Sequence, residues 1–220
     1  MRSAHLQPRK RPVQARSETT VWVLLDAGIQ VLLAVGYRRL TTTRVAERAG
    51  VSIGSLYQYF PNRQALVAAV LERYLDEIFA SMEADCRTLA GAGLQNLATG
   101  LVDAFVAAKW KRIDVSRAIH EPLSDVGGAE IVQASASKGV DLVASLLTTC
   151  SDATWDETPR IALFIITACT SLMQTVVAGP ARSIDRETLQ EHMRATVLGY
   201  LKEMRSRDRA ERSEARKSGE

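Results

Sequence analysis

The stretch that decides the fold is Thr41-Thr-Thr-Arg-Val-Ala-Glu-Arg-Ala-Gly-Val-Ser-Ile-Gly-Ser-Leu-Tyr-Gln-Tyr-Phe60. The hydroxyl of Thr41 can cap a helix, and Gly50 can end it, because glycine readily adopts the left-handed conformation found at helix C-termini. Ser52 can cap a second short helix over 53–60. Two short helices across a glycine turn are typical of a helix-turn-helix, whose second helix enters the DNA major groove.

The polar side chains of this stretch are suited to duplex DNA. Hydroxyl groups and helix N-termini donate to phosphates, a glycine allows close approach of the backbone, and the amide of Gln58 suits a bidentate contact with adenine. Leu56 and Phe60 are instead expected in the core. The candidate DNA-binding residues are Thr41, Thr43, Arg44, Ser52, Gly54, Ser55, Tyr57, Gln58, Tyr59 and Arg63.

Apolar residues recur at helical spacing on both sides of the motif. Over 18–35 they form one face of a helix that Gly36 ends, and after Asn62 long helical patterns alternate with short breaks. No alternation with the period of a strand appears. The sequence therefore predicts an all-α fold, with later helices over 62–82, 94–111, 115–123, 129–149, 159–177 and 186–204.

Length and composition agree with this fold class. The chain has 220 residues, of which 46% are hydrophobic, 24% charged and 5% aromatic, which is an ordinary globular composition that favours helix over strand. It excludes a wholly disordered chain and a collagen. We expect a disordered basic arm over 1–15, a helix-turn-helix domain over 16–62, a helical effector-binding and dimerisation domain over 63–204, and a charged tail over 205–220.

The net charge of +3 is unevenly distributed along the chain. Residues 1–63 hold ten Lys and Arg against three Asp and Glu, whereas residues 64–201 hold eleven against seventeen. Such a division indicates that the N-terminal module binds a polyanion and that the larger module after it does not.

Three features favour a cytoplasmic location. The cysteines Cys86, Cys150 and Cys169 are odd in number and far apart, which favours reduced, buried thiols over disulfides or zinc. The first 16 residues are polar and basic and lack the apolar region of a secretory signal. One stretch, 161–178, is apolar enough to span a membrane, but it carries polar residues and has no second span, so we expect a buried helix.

Residues in and around the motif follow a recognisable order. They are Gly36-Tyr37, Thr41, Val45-Ala46, Ala49-Gly-Val-Ser52, Gly54-Ser-Leu-Tyr57, Tyr59-Phe60 and Arg63, preceded by Asp26-Ala27, Ile29 and Val31-Leu32. This order resembles the DNA-binding domain of the TetR/AcrR transcriptional regulators over residues 16–75. Leu32 stands where Phe is usual in that family, and Gly28 where Ala is usual. The remaining two thirds resemble the family only in architecture.

The resemblance implies roles for individual residues. Thr41, Thr43 and Arg63 would meet phosphates, and Gln58 would reach a base. The groove edge would be formed by Ser52, Gly54 and Ser55, and the DNA backbone would be clamped by Tyr57 and Tyr59.

The resemblance also implies a homodimer that represses transcription and is released from a palindromic operator by a small molecule. Dimerisation would use 161–177 and the helix that carries Leu189, Met193, Val197, Leu198 and Leu201. The aliphatic character of 161–177 indicates an apolar effector. Candidate pocket residues are Phe105, Trp110, His120, Phe164, Thr167, Cys169, Thr170 and Met173.

Other classes of protein fit less well. The segment 42–52 also resembles the start of a LacI-type helix-turn-helix, but that family continues with an α/β sugar-binding domain. No catalytic or cofactor motif appears, so an enzyme, a cofactor and a metal site are not expected, and His120-Glu121 is interpreted as a helix end. A helical carrier or interaction protein without DNA binding remains the alternative; DNA binding that weakens steeply with salt would exclude it.

Overall fold

The computed structural model describes residues 15–177 and 184–218, with side chains described over 18–177 and 184–205. In these ranges the regular structure consists of α-helices and two short 3-10 turns, Tyr37–Arg39 and Arg87–Leu89, joined by turns and loops. The all-α prediction is confirmed. The helices are α1 Ala15–Val35, α2 Thr42–Ala49, α3 Ile53–Tyr59, α4 Arg63–Cys86, α5 Leu94–Trp110, α6 Ile113–His120, α7 Gly128–Thr148, α8 Thr158–Val177 and α9 Arg186–Ser218.

Most predicted helix bounds lie within a few residues of these, but the last helix differs. It was expected to end at Met204, with a frayed helix or a disordered tail beyond, and it continues to Ser218. The physical reason is local, because residues 205–218 are rich in Arg, Glu, Ala and Lys, which favour helix without needing an apolar face. The predicted arm lies outside the described residues except for Ala15, which begins α1.

The chain divides into two compact units. The first comprises residues 15–77 with Arg112–Ser135, and the second comprises Ile78–Lys111 with the described residues from 136 onward. Helix α6 belongs to the first unit, where the Tyr74 hydroxyl donates to Ser116 Oγ at 2.8 Å. Burial raises the pKa of Tyr74. The domain boundaries given by the sequence remain predictions.

The first unit has a tightly packed core. Leu24, Leu32, Leu56 and Phe60 are each at most 1% exposed. Helices α1 and α4 approach closely at Gly28, where a Cβ atom would lie 3.0 Å from a methyl group of Val70. This contact explains why glycine stands where the family usually has alanine.

The second unit joins α5 to α9 through buried leucines and a charged pair. Leu97 and Leu201 are fully buried. Arg194 binds Asp103 through two hydrogen bonds of 2.7 Å, from Nε to Oδ1 and from Nη2 to Oδ2. Gln190 donates to the same carboxylate at 2.6 Å. The carboxylate is therefore fully committed to α9.

Two described helices, rather than the single predicted stretch, are long and apolar enough to cross a membrane: Glu18–Val35 and Thr158–Val177. The first of these is an addition to the prediction. In these windows 39% and 44% of the residues are buried, and Leu24 of α1 and Ile161 of α8 are core residues of their units. Core helices of folded proteins pass the same test of length and composition.

The cysteines are free thiols. Cys86 and Cys169 are buried, and burial raises the pKa of their thiols to about 11 and about 12. Cys150 is half-buried and lies 3.4 Å from Asp152 Oδ1. The expectation of small buried side chains therefore holds for two of the three.

Replacing Gly128 with alanine should destabilise the first unit. A Cβ atom there would lie 2.7 Å from the Leu123 carbonyl oxygen and 2.9 Å from Leu123 Cα, and backbone atoms cannot yield as a flexible side chain can. We expect a loss of about 2 kcal/mol, the usual cost of overpacking, measured by urea unfolding. Gly54→Ala is the matched control, because its Cβ would meet only Ser52 Oγ at 3.8 Å. Equal stability of the two variants would contradict this account.

The Asp103–Arg194 pair should make stability depend on pH. Burial raises the pKa of Asp103, but the hydrogen bonds from Arg194 and Gln190 outweigh it and lower the pKa below the usual value of 3.8. A carboxylate with a depressed folded pKa stabilises above its unfolded pKa and loses that contribution as pH falls through the folded value.

Asp103→Asn should therefore cost about 1 kcal/mol at pH 7, a small figure because both partners are more than a third exposed. The cost should shrink below about pH 4. Urea unfolding at pH 7 and pH 3 measures it, with Glu157→Gln of the exposed Glu157–Arg160 pair as control. A cost that is the same at both pH values would refute the ion pair as its origin.

Candidate nucleic-acid interface

Capping fixes where the first helix of the motif begins and ends. Thr41 Oγ1 accepts a hydrogen bond from the Arg44 amide at 3.3 Å, which makes Thr41 the N-cap of α2. Gly50 has φ 68°, the left-handed conformation that glycine adopts without a steric penalty. The predicted caps of α2 are confirmed. The left-handed conformation of Gly50 ends α2 and begins the turn that leads to α3.

The second helix begins with a pair of serines. Ser52 Oγ accepts from the Ser55 amide at 3.0 Å, and the two side-chain oxygens lie 2.8 Å apart. Leu56 and Phe60 are buried, as predicted, so they anchor α3 in the core of the first unit. The buried side of α3 thus determines which residues of this short helix face outward.

The outward side of α3 carries three of the predicted contact residues. Gly54 and Gln58 are exposed, and Tyr57 is 42% exposed. The Tyr57 hydroxyl and Thr42 Oγ1 share a hydrogen bond of 3.1 Å, which ties the exposed side of α3 to the start of α2. Ser55 and Tyr59 are half-buried.

Two residues of this surface were not predicted. Thr42 was omitted although it lies between two predicted threonines, and its bond to Tyr57 makes it part of the same surface. Ile53 is 39% exposed at the N-terminus of α3, where an apolar side chain can meet a thymine methyl group. The sequence signal that could have identified Ile53 is its apolar side chain directly after the N-cap Ser52 of a short helix.

Arg63 is held by an aromatic side chain. Its guanidinium carbon lies 4.4 Å from the centre of the Tyr37 ring, and its two terminal nitrogens donate to the Tyr37 hydroxyl at 3.3 Å and carbonyl at 3.5 Å. Tyr37 is 4% exposed, and burial raises the pKa of its phenol, an effect that the Arg63 charge opposes. Since a guanidinium has five N–H donors, Arg63 keeps donors for a phosphate.

Other cations surround the motif. Arg44 is exposed and donates to the Arg39 carbonyl at 3.2 Å. Arg48 donates to the Gln30 amide oxygen, and Arg38 forms a 3.1 Å ion pair with Glu121. All of these belong to the first unit, which therefore combines the hydroxyl-rich surface with positive charge.

The predicted pocket residues differ in burial. Phe105, Cys169 and Met173 are buried, and Trp110 and Thr170 are half-buried. Phe164, Thr167 and His120 are exposed, and His120 lies in the first unit, so the expectation that these three side chains face an interior is corrected.

The interior position expected for Phe164 and Thr167 is wrong because α8 has an inward face formed by other residues. Ile161, Ile165, Cys169 and Met173 follow each other at four-residue spacing and are buried. Phe164 falls on the opposite face and is 57% exposed. A helix that is apolar on both faces does not reveal from sequence which side turns inward.

No group of three or more His, Cys, Asp or Glu side chains suited to a metal ion occurs in the part of the chain that the structure describes.

The geometry defines a helix-turn-helix module with an exposed, hydroxyl-rich recognition helix, followed by a helical unit. Comparison with known families agrees on both parts. Residues 24–70 match the model of bacterial regulatory proteins of the tetR family, and residues 94–201 match that of the tetracyclin repressor-like C-terminal domain. The chain belongs to the TetR family of transcriptional regulators.

Individual relatives are similar over parts of the chain. The repressor KstR2 of Rhodococcus jostii is 31% identical over 93 residues, 42% of this chain and 43% of that protein. The uncharacterised regulator Rv2912c of Mycobacterium tuberculosis is 32% identical over 127 residues, 54% of this chain and 65% of that protein. In both comparisons the matched region of this chain spans less than two thirds of the length of the relative.

A solved structure extends the comparison to most of the chain. The crystal structure of a TetR-family regulator from Streptomyces coelicolor has 26% sequence identity and a TM-score of 0.60, and the match covers 84% of this chain and 99% of that one. The predicted family is confirmed. Since its members are regulators and not enzymes, the prediction of a protein without enzymatic activity is confirmed as well.

Proposed function

We propose that the protein is a dimeric, cytoplasmic repressor that binds a palindromic operator and leaves it when a small molecule binds. The observation that carries the proposal is the exposed side of α3, where Gly54, Tyr57 and Gln58 face outward while Leu56 and Phe60 hold the helix in place. A rigid short helix with a polar outer side fits the major groove, which is about 12 Å wide.

Each contact has a distinct chemical role. Gln58 reads a base edge, and Tyr57 and Tyr59 hold the DNA backbone. Thr41, Thr43, Arg44 and Arg63 meet phosphates, with Arg63 oriented by the Tyr37 ring. Ser52 caps α3 by accepting from the Ser55 amide, and the two serines bring the N-terminal end of α3 to the groove edge.

The dimer interface is proposed on the exposed face of α8 and the neighbouring face of α9. Leu163 and Phe164 are 52% and 57% exposed, an unusual placement for large apolar side chains. The Phe164 ring lies 6.1 Å from that of Tyr200, which joins the two helices. On α9, Ala195 and Gly199 are small and exposed, so a second copy can approach closely. A two-fold dimer would present two recognition helices about 34–36 Å apart.

The effector site is proposed in the interior of the second unit. Phe105 is a buried aromatic side chain of α5, and Cys169 and Met173 are buried side chains of α8. These groups suit an apolar ligand body. Release follows when the ligand favours a dimer whose recognition helices no longer match the operator spacing, a coupling typically worth about 1–3 kcal/mol.

Selection of bound sequences from random duplex DNA tests the proposal directly. We expect a palindrome, with affinity that falls steeply between about 50 and 200 mM salt. Gln58→Ala should weaken binding to the selected site by about 1–3 kcal/mol, whereas Gln95→Ala, an exposed glutamine of the second unit, serves as the control. Absence of a selected sequence, or full affinity in Gln58→Ala, would reject the proposed function and favour a carrier without DNA binding.

A further inference from the structure

Lys109 stands on the buried face of α5. The residues three, four and seven positions before it, Val106, Phe105 and Val102, are 0%, 7% and 1% exposed. Helical side chains lean toward the N-terminus of their helix, so the four-carbon stem of Lys109 lies over the turn that carries Phe105 and Val106. Lys109 itself is half-buried, so its ammonium group has only partial access to water.

The ammonium group has no partner among the described residues. The structure gives Lys109 no hydrogen bond, ion pair or ring contact there. Asp103 is the only acidic residue of α5, and both of its oxygens are bound by Arg194. Lys111, two positions further on, is exposed and can be solvated. Lys109 therefore differs from its neighbours in lacking both a counter-ion and full access to water.

An amine in this position is energetically costly. Burial lowers the pKa of Lys109 to about 8, and no nearby carboxylate offsets the loss of hydration. An ammonium group that loses part of its hydration without gaining a counter-ion is destabilised, and amines with such a lowered pKa cluster at functional sites. The missing component is a negative charge.

We infer that Lys109 is an anion-binding residue whose ammonium pairs with the carboxylate of an amphipathic effector. The inference rests on the effector-binding part of the proposed function. A single cation that is unpaired in the described part of the chain favours a ligand with one negative charge. Arg194, which binds α5 at Asp103, is already paired, and phosphate groups are usually held by several donors. The side chains that precede Lys109 on this face, Val102, Phe105 and Val106, are apolar, which favours a ligand whose carboxylate is attached to an apolar body.

The test uses the full chain and two matched series of probes: straight-chain alkanoates of four to twelve carbons, and alcohols of the same lengths. Affinities are measured by calorimetry for the wild type, Lys109→Met and Lys111→Met. We expect at least one alkanoate to bind the wild type ten-fold or more tightly than its alcohol. Lys109→Met should remove this preference, since Met keeps an unbranched apolar side chain without the charge, and Lys111→Met should retain it.

A second variant, Lys109→Gln, keeps the test valid if Lys109→Met does not fold. The inference is overturned if no alkanoate is preferred over its alcohol by the wild type, or if the preference survives in either Lys109 variant. Binding of ligand-free protein to the selected operator is measured separately. A wild type that binds alkanoates but no DNA rejects the proposed function and leaves the anion site standing, whereas DNA binding without alkanoate preference rejects only the anion site.

Discussion

Replacing Phe164 with aspartate should convert the proposed dimer into a monomer. In the protomer this ring is 57% exposed and beside Tyr200, so burial against a second copy would remove apolar surface worth roughly 2 kcal/mol per Phe side chain. A carboxylate at the same place would have to leave water without a partner. Because a two-fold interface contains each residue twice, the single substitution acts twice in every dimer.

Loss of the dimer should weaken operator binding about 100-fold or more, since a monomer loses the high effective concentration of its second recognition helix. Sedimentation at micromolar concentration measures the oligomeric state, and titration of the selected operator measures affinity. Leu33→Asp is the matched control, because Leu33 is 40% exposed but lies on α1 in the first unit. A Phe164→Asp protein that sediments as a dimer would place the interface elsewhere.

The sequence predicts the helix-turn-helix well because its signals are local. The hydroxyl groups of Thr41 and Ser52 accept from backbone amides three positions later, and Gly50 ends α2 through its own conformation. Helix ends and caps can therefore be inferred without tertiary structure. The buried positions Leu56 and Phe60 follow from the same short pattern.

Features that depend on packing between distant segments could not be predicted. Helix α8 is apolar on most sides, so only its packing reveals that Cys169 turns inward and Phe164 outward. Arg63 and Tyr37 are 26 positions apart, and their stacking needs the folded first unit. Lys109 was overlooked because a charged residue in a helix is usually solvated, although its neighbour Phe105 was predicted.

Adding a single methyl group at Gly54 should weaken operator binding strongly while leaving the protein folded. A Cβ atom at this position would meet no protein atom closer than Ser52 Oγ, at 3.8 Å. Glycine inside a helix costs about 1 kcal/mol relative to alanine. No close contact in the described chain requires a glycine at this position. We therefore expect the reason to lie in DNA binding, because the second residue of a recognition helix is where DNA approaches.

We expect Gly54→Ala to reduce affinity for the selected operator about 30-fold, because close approach of α3 to the DNA backbone leaves no room for a side chain. Its stability in urea should equal or exceed that of the wild type by up to about 1 kcal/mol, since alanine is the better helix former. Measuring both quantities on one sample separates a lost contact from a damaged fold, and Gln95→Ala controls for handling of variants. Undiminished affinity together with raised stability would show that α3 does not approach DNA through Gly54, and recognition would then have to proceed through the far end of the helix at Gln58.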